Sequence, residues 1–221
     1  MLNRSPGDGR KEFSLIKLLF AVATAVVLSS PLLPAVQQAR TADARFRSRL
    51  NLQQLGLAVH MFHDVNGRLP SNTGFDPTMP RDGVTAALPG NANSGSWAWQ
   101  LLPFIEQMAP FNSGNVGFIK TFACPGRGRP TTSSYTDYAW NCFLNTAGLT
   151  PQSTEASLTA NNPIALFGIV DGASNTIMIG HKYVPTKNYA TVGVTPDAPI
   201  PTGGTISTGR ATSTYLRLGR G

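Results

Sequence analysis

Residues 11–40 read KEFSLIKLLFAVATAVVLSSPLLPAVQQAR, and from Leu18 to Ala39 none of the 22 residues is charged. A helix of that length, at about 1.5 Å per residue, is about 33 Å long, enough to cross a bilayer core. A basic leader with Arg4, Arg10 and Lys11 precedes it, Lys17 sits just before the uncharged run, and Arg40 closes it. Pro31 and Pro34 lie inside the run. Proline removes a backbone donor and clashes with the preceding turn, so a kink or break is expected there. The segment is either a signal peptide that is discarded or an anchor that is kept.

The residues beyond Arg40 decide between these. Ala35, Ala39, Ala42, Phe46 and Leu50 recur at three- and four-residue spacing, and Leu52, Leu55, Val59 and Phe62 continue a stripe. Arg40, Asp43, Arg47, Asn51 and Gln54 occupy the opposite face, and Gly67 with Pro70 stops the pattern. Phe13 to Asn66 therefore reads as one long helix, apolar all round in its first half and one-sided in its second. The second half is expected to lie against a globular domain, which argues that the helix is retained. The divisions are a leader over 1–12, a membrane-spanning helix over 13–39, an amphipathic continuation over 40–68 and a β-rich domain over 69–221.

Composition supports that division. Of the 221 residues only 13% are charged, against about 25% in an average soluble domain. With 22 Gly and 17 Pro, the chain suits a turn-rich, strand-containing domain better than a cytosolic helical enzyme. The net charge of +7 is concentrated near the apolar run: residues 1–68 carry +5 and the remainder +2. Positive charge there faces lipid headgroups or sets topology. No basic stripe with interleaved aromatics occurs, so nucleic acid is not an expected partner.

Along the β-rich part, residues 71–95 read as loop, and WAWQLLPFIEQ (97–107) as a short helix in a dense aromatic cluster. GFIKTFAC (117–124) and YTDYAWNCFL (135–144) read as strands, and IALFGIVD (164–171) with TIMIGHKYV (176–184) as the best strand pair. Gly172, Ser174 and Asn175 supply the turn between the last two. Weak strands and coil are expected from Val184 onward.

The chemistry is sparse. His60 and His63, with Asp64, offer a helical metal pair, but zinc needs more ligands and His181 has no companion pattern. Asp171, Gly172, Ser174 and Asn175 carry oxygen donors without calcium-loop spacing, so a hydrogen-bonded turn is the expected role. No Gly-x-Ser-x-Gly elbow, paired carboxylates or phosphate loop occurs. Trp97 and Trp99 either pack in the core or stack on a sugar or peptide. Cys124 and Cys142 either form a disulfide, with a chain-entropy contribution of about 3 kcal/mol, or remain buried thiols. No enzyme activity, metal or cofactor is expected.

FSLIKLL…LLPAVQQAR, running into RLNLQQLGLAVHMFHDVNGRLP, resembles the start of a large bacterial family of pilin-like proteins. Its members carry a prepilin-type cleavage and methylation segment followed by an exported domain of unknown function. Later blocks keep the same order: SWAWQLLPFIEQMAPFN (96–112), IKTFACPGR (119–127), TDYAWN (136–141) and VDGASNTIMIGHK (170–182). The resemblance covers residues 11 to about 183. It implies an α+β, pilin-like fold: a long N-terminal helix, half transmembrane and half amphipathic, packed on a small antiparallel sheet with long loops. It also implies a structural or assembly role, as in a type IV pilin or a type II secretion pseudopilin. The N terminus would be cytoplasmic, a single span would lie in the bacterial inner membrane, and prepilin peptidase and other pilin-like subunits would be partners. Pro34, 21 residues beyond Phe13, stands where many pilins bend the helix.

Two residues depart from the pattern. Glu12 precedes Phe13 where the peptidase prefers glycine. Lys17 stands where the family has the glutamate that offsets a neighbouring subunit's N-terminal amine; a lysine there sets like charges together in low dielectric. The expectation is a poorly cleaved chain that stays a single-pass anchored protein. The family's later histidine and Asp-Gly block has no counterpart before Gly221, so a truncated or divergent last part of the domain is expected. The competing expectation is an envelope module binding glycan or peptide through exposed Trp97, Trp99 or Trp140.

Overall fold

The computed structural model describes residues 15–29, 32–71, 87–141, 144, 164–190, 199–201 and 209–210. The chain divides into two units, Met1–Asp43 and Ala44–Gly221.

The first unit holds α1 (Leu15–Ser29) and the opening residues of α2 (Leu32–Asn66). Every side chain described in it is exposed, including Leu18, Leu19, Phe20 and Val22. The one uninterrupted helix expected over Phe13–Asn66 is described as two stretches, with Ser30 and Pro31 outside the described residues. Pro34 is the third residue of α2, within the first turn, where N–H groups have no intrahelical partner and a missing donor costs nothing. With 15 residues in α1, no helix among the described residues is both long and apolar enough to cross a membrane.

The second unit is organised around the remainder of α2. Leu55, Ala58, Val59 and Phe62 are fully buried, with Leu52 packed beside them. The single stripe expected along α2 is in fact two. Phe46 and Leu55 are nine positions apart, about two and a half turns, which places them on opposite faces. Phe46, Leu50 and Leu57 are accordingly exposed while Leu55 is buried. The helix ends at Asn66 as expected: Gly67 takes φ +68° and its N–H donates to the His63 carbonyl at 2.7 Å.

Aromatic side chains fill the space over α2. Ser96 caps α3 (Trp97–Gln100), its hydroxyl accepting from the Trp99 N–H at 3.2 Å. A 3-10 turn (Leu102–Ile105) and α4 (Met108–Ser113) follow. Trp97 meets Phe122 edge-on at 5.7 Å between centroids and stacks on Trp140 at 6.1 Å. Trp99 sits 5.2 Å from Phe111, and Phe62 of α2 meets Phe104 edge-on at 5.8 Å.

The sheet is small: β1 (Tyr138–Asn141) lies between β2 (Ile179–His181) and β3 (Gly209–Arg210). β1 and β2 are antiparallel, with Tyr138 opposite His181; β1 and β3 are parallel, with Trp140 opposite Gly209. The α+β architecture stands, though the sheet is mixed rather than wholly antiparallel. Two strand expectations are corrected. Residues 117–124 form no strand but a 3-10 turn, Lys120–Phe122, which sinks Phe122 into the core. Residues 164–171 do not pair with 176–184: Leu166–Gly168 is a 3-10 turn, and β2 pairs with β1 instead. The 172–175 turn forms as expected, with Gly172 at φ +83° and the Asn175 N–H donating to the Gly172 carbonyl at 3.1 Å.

Candidate functional site

Polar groups converge where α2 meets the sheet. Ser48, 5% exposed, opens the buried part of α2. Its Oγ lies 3.1 Å from the Tyr138 hydroxyl on β1 and 3.1 Å from His181 Nε2 on β2. One turn on, Asn51 Nδ2 donates to the Ala123 carbonyl at 3.0 Å and to the Tyr138 hydroxyl at 3.4 Å. Cys124 Sγ approaches Ser48 Oγ at 3.9 Å. The Tyr138 and His181 rings lie 5.1 Å apart.

Asp137, immediately before β1, anchors the other side. It is fully buried, and its Oδ1 accepts from Arg127 Nη1 and Arg129 Nη1, both at 2.8 Å. Its Oδ2 accepts from the Cys124 N–H at 2.7 Å. Arg127 Nη2 also donates to the Lys182 carbonyl, and the Lys182 N–H donates to the Asp137 carbonyl at 2.8 Å. Arg129 stacks over Tyr135, 4.2 Å from its centroid. Asp137 thus fixes the 124–129 loop through its carboxylate and the residue after β2 through its backbone carbonyl.

These surroundings shift the titrating groups. His181 is exposed overall but partly desolvated on its Ser48 side, and that desolvation, then Arg127, holds it below its ordinary value, with Asp137 opposing. Burial pushes Tyr138 up, and its hydrogen bonds to Ser48 and Asn51 oppose the rise. At physiological pH the cluster is a neutral hydrogen-bonded chain, Tyr138–Ser48–His181, beside an ion-paired one. A serine hydroxyl beside a histidine satisfies the first distance of nucleophilic catalysis. Among the described residues, however, no carboxylate orients the ring: Asp137 is committed to Arg127, Arg129 and Cys124. The arrangement joins elements.

A second buried polar node lies at the other end of α2. Gln100 Nε2 donates to the Ser71 carbonyl at 2.6 Å, and its Oε1 accepts from the Ser71 N–H at 3.2 Å. Arg68 Nη2 donates to Asn93 Oδ1 at 2.8 Å, with its guanidinium 5.1 Å from the Phe62 centroid. Burial lowers Arg68 to about 10.

The residues singled out in the sequence are dispersed. Glu12, Phe13 and Cys142 lie outside the described residues, and Lys17 is exposed on α1. Cys124 is half-buried with a free thiol. Asp171, Ser174 and Asn175 are exposed; the Asp171 carbonyl accepts from Asn175 Nδ2 at 3.2 Å, which makes a turn. His60 is exposed, while His63 Nε2 accepts the Leu166 N–H at 3.2 Å, a packing role. No cluster of three metal-ligating side chains occurs among the described residues. Trp97, Trp99 and Trp140 are fully buried: Trp97 and Trp99 take the core role the sequence favours, and the competing expectation of an exposed stacking surface is corrected.

Ser48 and Arg129 stand in none of the sequence blocks; Asn51, Arg127 and Asp137 stand inside such blocks, but no site role is read from them. One signal is present: Asp137 is a lone charge inside the aromatic run YTDYAW, and a charge buried among apolar neighbours demands a partner.

Residues 37–117 match the model of a family described as a protein of unknown function (DUF1559). That stretch runs from the first turns of α2 through the tryptophan cluster to the loop after α4. No curated protein and no solved structure matches the chain.

Proposed function

We propose that the chain is a membrane-anchored, pilin-like structural or assembly protein of the bacterial envelope. Its N terminus is cytoplasmic and its domain is exported from the inner membrane. Residues 11–40 form the anchor, and the second unit is the exported domain.

The observation that carries the reading is the contrast along the N-terminal helices. α1 exposes Leu19 at 74% and Phe20 at 71%, whereas Leu55, Val59 and Phe62 of α2 are fully enclosed by their own domain. Apolar area left in water costs about 25 cal/mol per Å², so a chain that exposes the described side chains of an apolar helix, Lys17–Ala25, needs another solvent for it. Thr24 fits a lipid setting: its hydroxyl donates within the helix, to the Phe20 and Ala21 carbonyls at 3.0 and 2.9 Å. The polar clusters at Ser48 and Asp137 knit the domain to α2 without the geometry of a reaction centre, which supports a structural role.

Glu12 and Lys17 set the finer proposal. The leader is retained, because the position before Phe13 is acidic and Lys17 cannot offset a neighbour's amine. Fractionation with determination of the mature N terminus tests this. Recovery in the membrane fraction with residues 1–12 intact supports it, and an N-methylated Phe13 rejects it.

A further inference from the structure

Two imidazoles hold one stretch of chain, residues 164–182, against α2. At the near end, the Leu166 N–H donates to His63 Nε2 at 3.2 Å, next to the bond from the Leu69 N–H to the Ile164 carbonyl at 2.9 Å. At the far end, His181 Nε2 lies 3.1 Å from Ser48 Oγ. Positions 48 and 63 are about 22 Å apart along the helix. Between the ties Leu166, Ile169, Met178 and Ile179 pack on the core, while Phe167, Val170 and Ile177 face outward.

We propose that His63 and His181 form a proton-operated latch. At neutral pH they clamp residues 164–182 to α2. Acidification releases the Leu166 end and loosens the β2 end, fraying the Lys182–Asp137 bond beyond the ladder while Tyr138–Trp140 stays paired with Ile179–His181.

The His63 end follows from donor and acceptor chemistry. A proton on Nε2 converts the acceptor into a second donor aimed at the Leu166 N–H, and that bond is lost. The His63 side chain is 18% exposed, so water reaches it. Among the described residues the charged groups around it lie on its own helix: Asp64 Oδ1 at 3.8 Å from Nδ1, with His60 one turn earlier and exposed. Residues 164–168, packed against it, contribute no charged side chain.

The His181 end follows from charge. The 124–129 loop presents Arg127, Arg129 and Cys124, Asp137 lies just before β1 and Tyr138 on it, and Lys182 follows just after β2. α2 contributes Ser48 and Asn51, with Arg47 and Arg49 flanking Ser48 on its exposed side. Among the described residues Asp137 is the carboxylate of that set, and it is paired with Arg127 and Arg129. An imidazolium adds a further cation beside Arg127, which loosens this end through charge repulsion, although Ser48 Oγ can still accept from Nε2–H.

Residue-resolved hydrogen exchange on the full chain in detergent micelles tests the latch, with protection normalised for intrinsic rates. Between about pH 7.5 and about pH 5, a window spanning imidazole titration, Leu166 amide protection is expected to fall about tenfold, with a smaller fall, about twofold, at Lys182. His63→Gln keeps an acceptor that cannot be protonated, so Leu166 protection becomes flat with pH; His181→Gln does the same for Lys182. His60→Gln behaves as the parent. A flat Leu166 in the parent chain, or an undiminished fall in either latch variant, overturns the proposal. Should a variant fail to fold, the parent decides alone: the Leu166 amide shift must titrate with the midpoint of the His63 ring, and a different midpoint rejects the latch.

Discussion

Ser48 of α2 and His181 of β2 are 133 positions apart in sequence and 3.1 Å apart in the fold. With Tyr138 at the same distance from Ser48 Oγ, one hydroxyl joins the helix to both strands of the antiparallel pair. Ser48→Ala leaves the Tyr138 hydroxyl with weaker partners inside the domain. The expected cost is about 1–2 kcal/mol by denaturant unfolding. A double-mutant cycle with Tyr138→Phe should show the two losses overlapping; full additivity contradicts the shared bond.

Asp137→Asn leaves Arg127 and Arg129 facing a neutral amide at a fully buried site. Removing one partner of a buried ion pair costs about 3–5 kcal/mol. Loss below about 1 kcal/mol, the size expected of a surface pair, contradicts the assignment.

The pH dependence of stability has a definite sign. His181 is held below the imidazole's usual value of about 6.5, so the unfolded chain takes up the proton first. Its contribution is complete above about pH 6.5 and is lost as pH falls through the folded value. Unfolding midpoints of the parent chain should drop across that window, and His181→Gln should drop less. Identical curves count against the shift.

The two faces of α2 should answer oppositely to truncation. Leu55→Ala opens a cavity at a fully buried site and should cost about 2–5 kcal/mol. Phe46→Ala, on the 57% exposed face, should change stability by less than about 0.5 kcal/mol. Comparable losses contradict the two-faced helix.

Gly95 is held at φ +69°, and an added Cβ meets the Trp99 ring and the Ala87 Cβ at 2.9 Å. Gly95→Ala should therefore destabilise by more than the about 1 kcal/mol typical of a backbone effect alone, read as a lowered thermal midpoint.

Local signals carry part of this fold. The stop at Asn66–Gly67 and the 172–175 turn are legible, because glycine and short polar side chains act within a few residues. The apolar runs 117–124 and 164–171 mislead because an apolar run reports burial, not extension: Phe122 and Leu166 reach the core from 3-10 turns. The stripe over Ala35–Phe62 resembles one face although its two halves are out of phase by about half a turn. The Ser48 and Asp137 clusters draw partners from 8 to 133 positions away, and spacing carries no such information. The tryptophans are legible as core and not as a surface.

A retained anchor ahead of an exported domain is tested at the N terminus. Membranes from cells expressing the full chain are washed with carbonate, and the terminal peptide of the retained protein is identified by mass. The expected result is carbonate-resistant protein whose terminal peptide still contains residues 1–12. Protein released by carbonate, or one beginning beyond Arg40, contradicts the anchor; an N-methylated Phe13 contradicts its retention.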